Sequence, residues 1–180
     1  MTELDVRFLP HADLSPGLRS EFDTLDRLAF AQNEEEEDPD FPPIQWATPD
    51  WVALGYLQDR LVTQLCLLWR EITVATEKIL VAGLGGMATH PQFQHQGLGS
   101  ALLAATASFM RDTIQVPFGL LICADETARF YQLSHWQIAA DHLYYTQDHE
   151  RRMLKPCVMI LQLTVRPWPA GEIDLCGLLW

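Results

Sequence analysis

The sequence predicts an α/β domain, a mixed sheet with helices on its faces. Three observations carry that prediction. Strand-like and helix-like periods follow in the order β, α, loop, βββ, α, β, α, ββ. Two tight connections in succession make the three central strands an antiparallel meander. A glycine-bearing turn then joins the last of these strands to an apolar helix.

Leu4 to Leu9 alternates apolar and polar residues, the period of a short strand. Ser15-Pro16 opens a helix, with proline in its first turn. Leu18, Phe22, Leu25, Leu28 and Ala29 keep helical spacing down to about Ala31. Residues 32–43 are polar, acidic and proline-bearing, and read as a loop; Pro49-Asp50-Trp51 suits a short turn. Residues 52–57, 61–75 and 79–89 form the meander, separated by Gln58-Asp59-Arg60 and Thr76-Glu77-Lys78. The third strand holds Gly83, Gly85 and Gly86, and glycine inside a strand marks a bulge or a close backbone approach. From Gly97 to about Asp112 the period is helical, with Leu98, Leu102, Leu103, Thr106, Phe109 and Met110 on one face. Residues 117–123 are a fully apolar strand, and 125–133 a helix with an acidic first turn. Residues 136–145 and 157–165 read as two more strands. Residues 168–180 are apolar without a clear period.

The 180 residues suffice for one domain with one sizeable core. Hydrophobic residues at 48% and charged residues at 20% exclude a disordered chain. Twelve Lys and Arg against 24 Asp and Glu leave a net charge of −12, which repels phosphate backbones and disfavours nucleic acid as a partner. The excess is local. Residues 1–50 hold 13 acids and three bases, and residues 51–180 hold 11 and nine. No run of about 18 uncharged apolar residues exists, so no membrane helix is expected. Met1-Thr2-Glu3-Leu4-Asp5 lacks a signal peptide's basic start. Cys66, Cys123, Cys157 and Cys176 lie far apart and read as reduced thiols, although four could pair. A cytoplasmic protein is expected.

The chemistry concentrates in His90-Pro91-Gln92-Phe93-Gln94-His95-Gln96-Gly97-Leu98-Gly99, between a strand and a helix. A glycine-rich turn entering a helix offers free N–H groups and the positive end of the helix dipole. That suits a pyrophosphate. Neither the dinucleotide fingerprint nor a Gly-Lys-Ser/Thr loop is present.

Gln94-x-x-Gly97-x-Gly99, within Met87 to Leu103, resembles motif A of the GNAT acetyltransferases, and Ala128-Arg129-Phe130-Tyr131 resembles their later helix with its Phe-Tyr pair. Order and spacing match across most of the chain. The resemblance implies the GNAT fold: α/β, with a mixed, mostly antiparallel sheet of about six to seven strands and helices on both faces. It also implies acetyl-CoA (coenzyme A) as co-substrate and a small-molecule primary amine as acceptor. Val6-Arg7-Phe8-Leu9 through Ala29-Phe30, with Trp180, is similar to the aminoglycoside 2'-N-acetyltransferases. Val116-Pro117-Phe118-Gly119 and Trp168-Pro169-Ala170-Gly171 resemble the nodulation protein A acyltransferases. Both relatives acylate a sugar amine, so an amino-sugar-like or polyamine-like acceptor is implied.

By resemblance, Met87, Ala88 and Thr89 hold the pantetheine arm, and Gln94, His95, Gln96, Gly97, Leu98, Gly99 and Ser100 surround the pyrophosphate. Tyr131 is the general acid: a phenol near pKa 10 keeps its proton at neutral pH and can give it to a departing thiolate. The alternative is a tyrosine that merely packs its ring in the core. Many family members carry a glutamate on the strand before motif A, but residues 79–86 hold no carboxylate. Asp125, Glu126, Asp174 or the terminal carboxylate of Trp180 could serve as base. On the acceptor side stand Glu36, Glu37, Asp38 and Asp40 of the acidic loop, with Gly85, Cys123 and Trp180. The loop could equally be a solvated charge run. Leu178-Leu179 replace the polar residues that the aminoglycoside enzymes place before their last tryptophan, which favours a less charged acceptor. His90 and His95 flank the turn without the spacing of a metal site, so no metal is expected. Cys123 is a nucleophile only if something lowers its pKa; otherwise it is a structural thiol. Two rival functions stay open, an acyltransferase with a longer acyl donor and an acyl-CoA-binding sensor. The apolar tail could also serve a homodimer contact.

Overall fold

One long strand, β3 (Arg60–Val74), organises the molecule. It is rich in Leu, Val, Ile and Thr, residues that fit a pleated, buried surface. The computed structural model describes residues 4–30 and 43–180. In chain order the elements are β1 (Asp5–Pro10), α1 (Pro16–Phe30), β2 (Trp51–Leu57), β3 and β4 (Glu77–Thr89), followed by α2 (Leu98–Phe109). Then come β5 (Phe118–Cys123), α3 (Asp125–Gln132), β6 (Gln137–Ala140), β7 (Leu143–Gln147), β8 (Glu150–Leu154), β9 (Cys157–Gln162) and β10 (Ile173–Asp174).

Among the described residues ten strands form one mixed sheet in the order β6-β9-β5-β4-β3-β10-β7-β8, with β2 also on β3 and β1 outside β2. The expected meander is β2-β3-β4, antiparallel throughout. β5 joins β4 in parallel, as the crossover through α2 requires. β3 shares one edge between two partners: Arg60–Leu67 pairs with β2, and Thr73–Val74 pairs with β10. Asp50 marks the change of partner. Its N–H donates to the Leu67 carbonyl at 2.9 Å, and its carboxylate accepts the Trp69 N–H at 2.9 Å.

The α/β class and the helices on both faces are as expected, but the strand count is higher than the about six to seven expected. The single strand expected over 136–145 is two, β6 and β7, broken at Asp141-His142. β8 has Glu150, Arg151 and Arg152 and no apolar alternation to betray it; it pairs with β7 alone. β10 is too short to show a period.

Alternation divides the core. Leu65, Leu67, Ala82, Leu84, Leu121 and Met159 face α2 and α3, whose Leu102, Leu103, Ala128 and Tyr131 cover them. Phe109 of α2 stacks on Phe8 of β1, ring centroids 4.1 Å apart, and fixes the far end of that helix. The other face carries Leu68, Ile72, Ile79, Val81, Phe118 and Leu120, and the tail closes it with Leu175, Leu179 and Trp180. On the same face, α1 lays Leu25 against Val52, Leu54 and Ala88.

The aperiodic tail is thus a pinned cover. Leu175 N–H donates to Tyr144, Gly177 accepts from Thr146 at 2.8 Å, and Ala47 N–H donates to Leu179 at 2.7 Å. Arg70 Nη1 donates to the Leu178 carbonyl at 2.8 Å. Two glycines of β4 make room for the last residue. A Cβ on Gly83 would stand 2.5 Å from indole Cδ2 of Trp180, and one on Gly85 would stand 2.9 Å from the Trp180 carbonyl carbon. Gly83→Ala should therefore cost about 1–3 kcal/mol by overpacking. Trp180→Ala should cost about 3–5 kcal/mol by leaving a cavity. Denaturant unfolding of the double mutant should show less than the sum, because one change relieves the other. Strictly additive losses would show that the two residues do not compete for this space.

Candidate active site

β4 and β5 pair only from Val81↔Phe118 to Leu84↔Leu121. Beyond that point β4 continues to Thr89 and β5 to Cys123 without pairing to each other, so the two strands fork. A fork in a sheet leaves main-chain N–H and C=O groups without strand partners, a place for an extended ligand to bond.

At the upper end of the fork the chain enters α2 through two left-handed residues, His95 (φ 60°) and Gly97 (φ 79°). Gly97 takes that conformation without the steric cost a side chain would bring. It is the helix cap, and no side chain bonds the first turn. Ala101 N–H donates to the Gly97 carbonyl at 3.0 Å, which leaves the N–H groups of Leu98, Gly99 and Ser100 without helical partners. Gln94 Nε2 donates to the Thr89 carbonyl at 3.1 Å and ties the turn to the strand.

These groups line a groove of about 310 Å³. Seven of the ten residues expected around the donor line it: Thr89, Gln94, His95, Gly97, Leu98, Gly99 and Ser100. Of the other three, Met87 lies just below, its Cε 3.0 Å from where a Gly99 Cβ would stand. Ala88 is buried toward α1, and Gln96 is exposed with its amide on the Gln92 carbonyl. Phe93 and Phe130 also line the groove and were not among the expected site residues. Phe130 had a signal, its place beside Tyr131 in the Phe-Tyr pair; Phe93 had none. Among the described residues no carboxylate lines the groove, and three N–H groups without helical partners open into a helix start. A pyrophosphate fits that donor set.

Tyr131 is buried on the same face of the sheet as α2, edge-on to Phe130 with ring centroids 5.0 Å apart. Burial pushes its phenol up to about 12, and the nearby Cys123 adds to the rise. Cys123 ends β5 directly opposite Cys157 of β9, and its Sγ lies 3.8 Å from Met159 Sδ. Burial raises the Cys123 thiol to about 11. A thiol so hard to ionise is a poor nucleophile, and the structural reading of Cys123 is the better one. All four cysteines are free.

The opposite face of the fork belongs to Gly85, Trp180, Cys66 and α1. Gly85 pairs with Cys66, whose Sγ is 3.6 Å from where a Gly86 Cβ would stand. Burial and the Asp26 carboxylate push the Cys66 thiol up to about 12. Asp26 itself is raised above the ordinary carboxyl range by burial and by Asp23. It follows Leu25, the buried residue of α1. The sequence reading passed over it because Asp26 interrupts an amphipathic period as any surface acid would. Among the expected bases, Asp125 and Glu126 are exposed at the start of α3, and Asp174 is held by Arg151 at 2.6 Å. Glu36, Glu37, Asp38 and Asp40 lie outside the described residues.

His90 contacts Arg60 through Nε2 at 2.8 Å, and the guanidinium lies 5.0 Å over the Phe93 ring. The contact walls off a larger groove, about 420 Å³, between α1 and the β2–β3 turn. Among the described residues no three His, Cys, Asp or Glu side chains converge as a metal site, and no helix is long and apolar enough to cross a membrane.

The family model for nodulation protein A (NodA) matches residues 3–176. The chain belongs to the nodulation protein A family. No curated protein sequence matches it. Among solved structures, ElaA of Escherichia coli is similar with a TM-score of 0.62 at 18% identity, over 88% of this chain and 99% of that one. An acyl-CoA N-acyltransferase from Pseudomonas aeruginosa is similar with a TM-score of 0.58 at 16% identity, over 88% and 99%. A GCN5-related N-acetyltransferase from Kribbella flavida gives 0.55 at 17% identity, over 78% of this chain and 35% of that one. Nodulation protein A is an acyltransferase family, and this chain has the GNAT fold.

Proposed function

We propose that this protein transfers an acetyl group from acetyl-CoA to a primary amine of a small molecule, an amino-sugar-like or polyamine-like acceptor. The observation that carries the proposal is the groove at the start of α2, which takes in Thr89 at the end of β4 and Phe130, whose ring lies edge-on to buried Tyr131. The N–H groups of Leu98, Gly99 and Ser100 receive the pyrophosphate. The unpaired edge from Met87 to Thr89 bonds the pantetheine arm. An N–H near Met87 faces the thioester oxygen, and one preorganised donor of this kind is worth about 3 kcal/mol.

The acceptor comes from the opposite face, past Gly85 and Trp180. Its nitrogen forms the C–N bond and loses one proton. The C–S bond breaks, and Tyr131 gives its proton to the sulfur. Solvent then restores the phenol. Asp26 on α1 is the proton acceptor for the amine, directly or through one water. A carboxyl raised above its ordinary range takes up a proton more readily, which suits that task. Four free cysteines agree with a cytoplasmic setting.

The cheapest test mixes protein, acetyl-CoA and a panel of amines and follows free thiol. Release that depends on both protein and amine supports the reading. Tight binding of acetyl-CoA with no release for any amine would favour a sensor.

Asp26→Asn should lower kcat at least about tenfold and abolish the acidic limb of its pH profile. The same change should raise thermal stability at pH 7.5. A folded-state pKa above the unfolded one gives stability that is full below the unfolded value and lost as pH rises through the folded value. The ionised carboxylate is therefore a burden at pH 7.5, and a neutral amide removes it. A variant with wild-type kcat and an unchanged acidic limb would take Asp26 out of the reaction.

A further inference from the structure

We propose that Arg60 is a positioning residue for the donor: from the first position of β3 it holds His90 with its edge and Phe93 with its plane, and so fixes one wall of the donor groove. The inference rests on the reading of that groove as the acetyl-CoA site.

Phe93 lines the groove from a short turn, Pro91–Phe93, beyond the end of β4. The turn has left the sheet, so no strand holds it. His90 N–H donates to the Val62 carbonyl at 2.9 Å, and Phe93 N–H donates to the His90 carbonyl at 2.8 Å. Only the first of these bonds reaches another element. The Phe93 ring is half-buried, and its place is set by what touches it. The His90 ring meets it edge-on, centroids 5.6 Å apart, and the Arg60 guanidinium covers it at 5.0 Å. Arg60 Nη2 also lies 2.8 Å from His90 Nε2. A planar guanidinium can stack on one ring and donate from its edge to another, which a lysine ammonium, a point charge, cannot do. The strut stands on firm ground, because Thr63 Oγ1 of β3 donates to the Ala88 carbonyl of β4 at 2.9 Å.

The His90 ring sets a condition on this arrangement. Its Nδ1 faces the Gln92 N–H at 3.2 Å, and its Nε2 faces Arg60. Both partners are donors only. A neutral imidazole has one nitrogen that accepts, and the shorter contact, to a cation, takes it. An imidazolium has none, so a second proton turns the Arg60 contact into repulsion between two cations. Of the charged groups around the ring, Arg60 comes from β3, Asp59 from the β2–β3 turn and Glu21 from α1; residues 91–94 carry none. Among the described residues neither acid pairs with the ring, and partial burial with the Arg60 charge holds it below the ordinary histidine range. The wall is therefore set at neutral pH and released as pH falls through that lowered value.

The test uses the full chain with acetyl-CoA and one amine, and reads kcat and KM by thiol release and affinity by calorimetry. Arg60→Met keeps an apolar stem and loses the plane, the donors and the charge. It should raise KM and Kd for acetyl-CoA at least about fivefold at pH 7.5 with kcat nearly unchanged, because a lost donor wall weakens ground state and transition state alike. Arg60→Lys restores the charge alone and should recover less than half of that loss. His90→Gln ends in an acceptor and gains no proton. Between pH 7.5 and 5.5 the wild type should lose at least about threefold more affinity than Arg60→Met or His90→Gln, since it alone has a ring to protonate against a guanidinium. The comparison between variants cancels the titration of the ligand's own phosphates. If Arg60→Met does not fold, the lysine variant and the pH comparison with His90→Gln decide in its place. A folded Arg60→Met with wild-type KM, a loss carried by kcat, or one pH ratio shared by all three proteins would each overturn the inference. Full rescue by lysine would overturn it too, and would make Arg60 a charge that meets phosphate directly. If the wild type binds no acetyl-CoA, the reading of the groove fails and the inference falls with it. If acetyl-CoA binds and turns over but the variants do not differ from the wild type, only the inference fails.

Discussion

Tyr131→Phe should lower kcat by about 10²- to 10⁴-fold while leaving acetyl-CoA affinity nearly intact. The phenol lies on the α2 side near Cys123 at the end of β5, and in the proposed reaction its hydroxyl acts only when sulfur leaves. An interaction made only in the transition state appears in kcat, with little change in ground-state binding. The ring stays in place in the phenylalanine variant, so packing against Phe130 and Trp136 survives. Burial holds the phenol at about 12, so it keeps its proton across the usual assay range and adds no alkaline limb there. The same rise has a stability consequence. The folded state holds this proton more tightly than the unfolded chain, whose tyrosine titrates near pH 10. Stability from this group is full below that value and is lost as pH rises toward the folded value of about 12. Single-turnover thiol release is the measurement to use, because it separates chemistry from product release. Wild-type single-turnover rates in the phenylalanine variant would remove Tyr131 from the reaction.

Gly97→Asp should weaken acetyl-CoA binding by about a hundredfold, and Gly97→Asn by much less. The pair of variants isolates charge. Both side chains tolerate the left-handed backbone that Gly97 adopts better than most residues do. No heavy atom lies within 4 Å of a Cβ at this position, so neither is excluded by space. The aspartate would set a negative charge beside the phosphates, and two unit charges about 4 Å apart near a surface repel by roughly 4 kcal/mol. A hundredfold loss corresponds to about 2.7 kcal/mol and allows for partial screening. Raising the salt concentration should recover part of the loss in the aspartate variant only. Calorimetry at two ionic strengths checks it. Equal affinities for Asp, Asn and Gly would place the pyrophosphate elsewhere.

Much of this protein was legible before its structure. Local chemistry wrote the turn: Gln94, Gly97 and Gly99 sit between an apolar strand and an apolar helix, and both the backbone at Gly97 and the groove follow from neighbours in sequence. Periodicity wrote α1, α2 and the β2-β3-β4 meander, because one buried face per element imposes the periods of helix and strand. The Phe-Tyr pair on α3 pointed to Tyr131, and α3 is short enough that its own pattern places both rings.

Tertiary structure alone decided the rest. β8 and β10 lack a period of their own; one is charged and the other has two residues, and each exists because β7 or β3 offers it an edge. The tail from Ile173 to Trp180 reads as aperiodic because its contacts are single bonds to distant residues: Arg70, Tyr144, Thr146 and Ala47. Gly83 and Gly85 announced a close approach, but nothing near them in sequence says that residue 180 makes it. Asp26 was invisible for the same reason. Its distinction is burial, which only the fold imposes, with the Asp23 carboxylate one turn earlier adding to the rise. Sequence determines what neighbours within a few residues can enforce: period, turn and cap. The packing of Trp180 against Gly83 and Gly85 and the burial of Asp26 depend on groups that meet only once the sheet has formed.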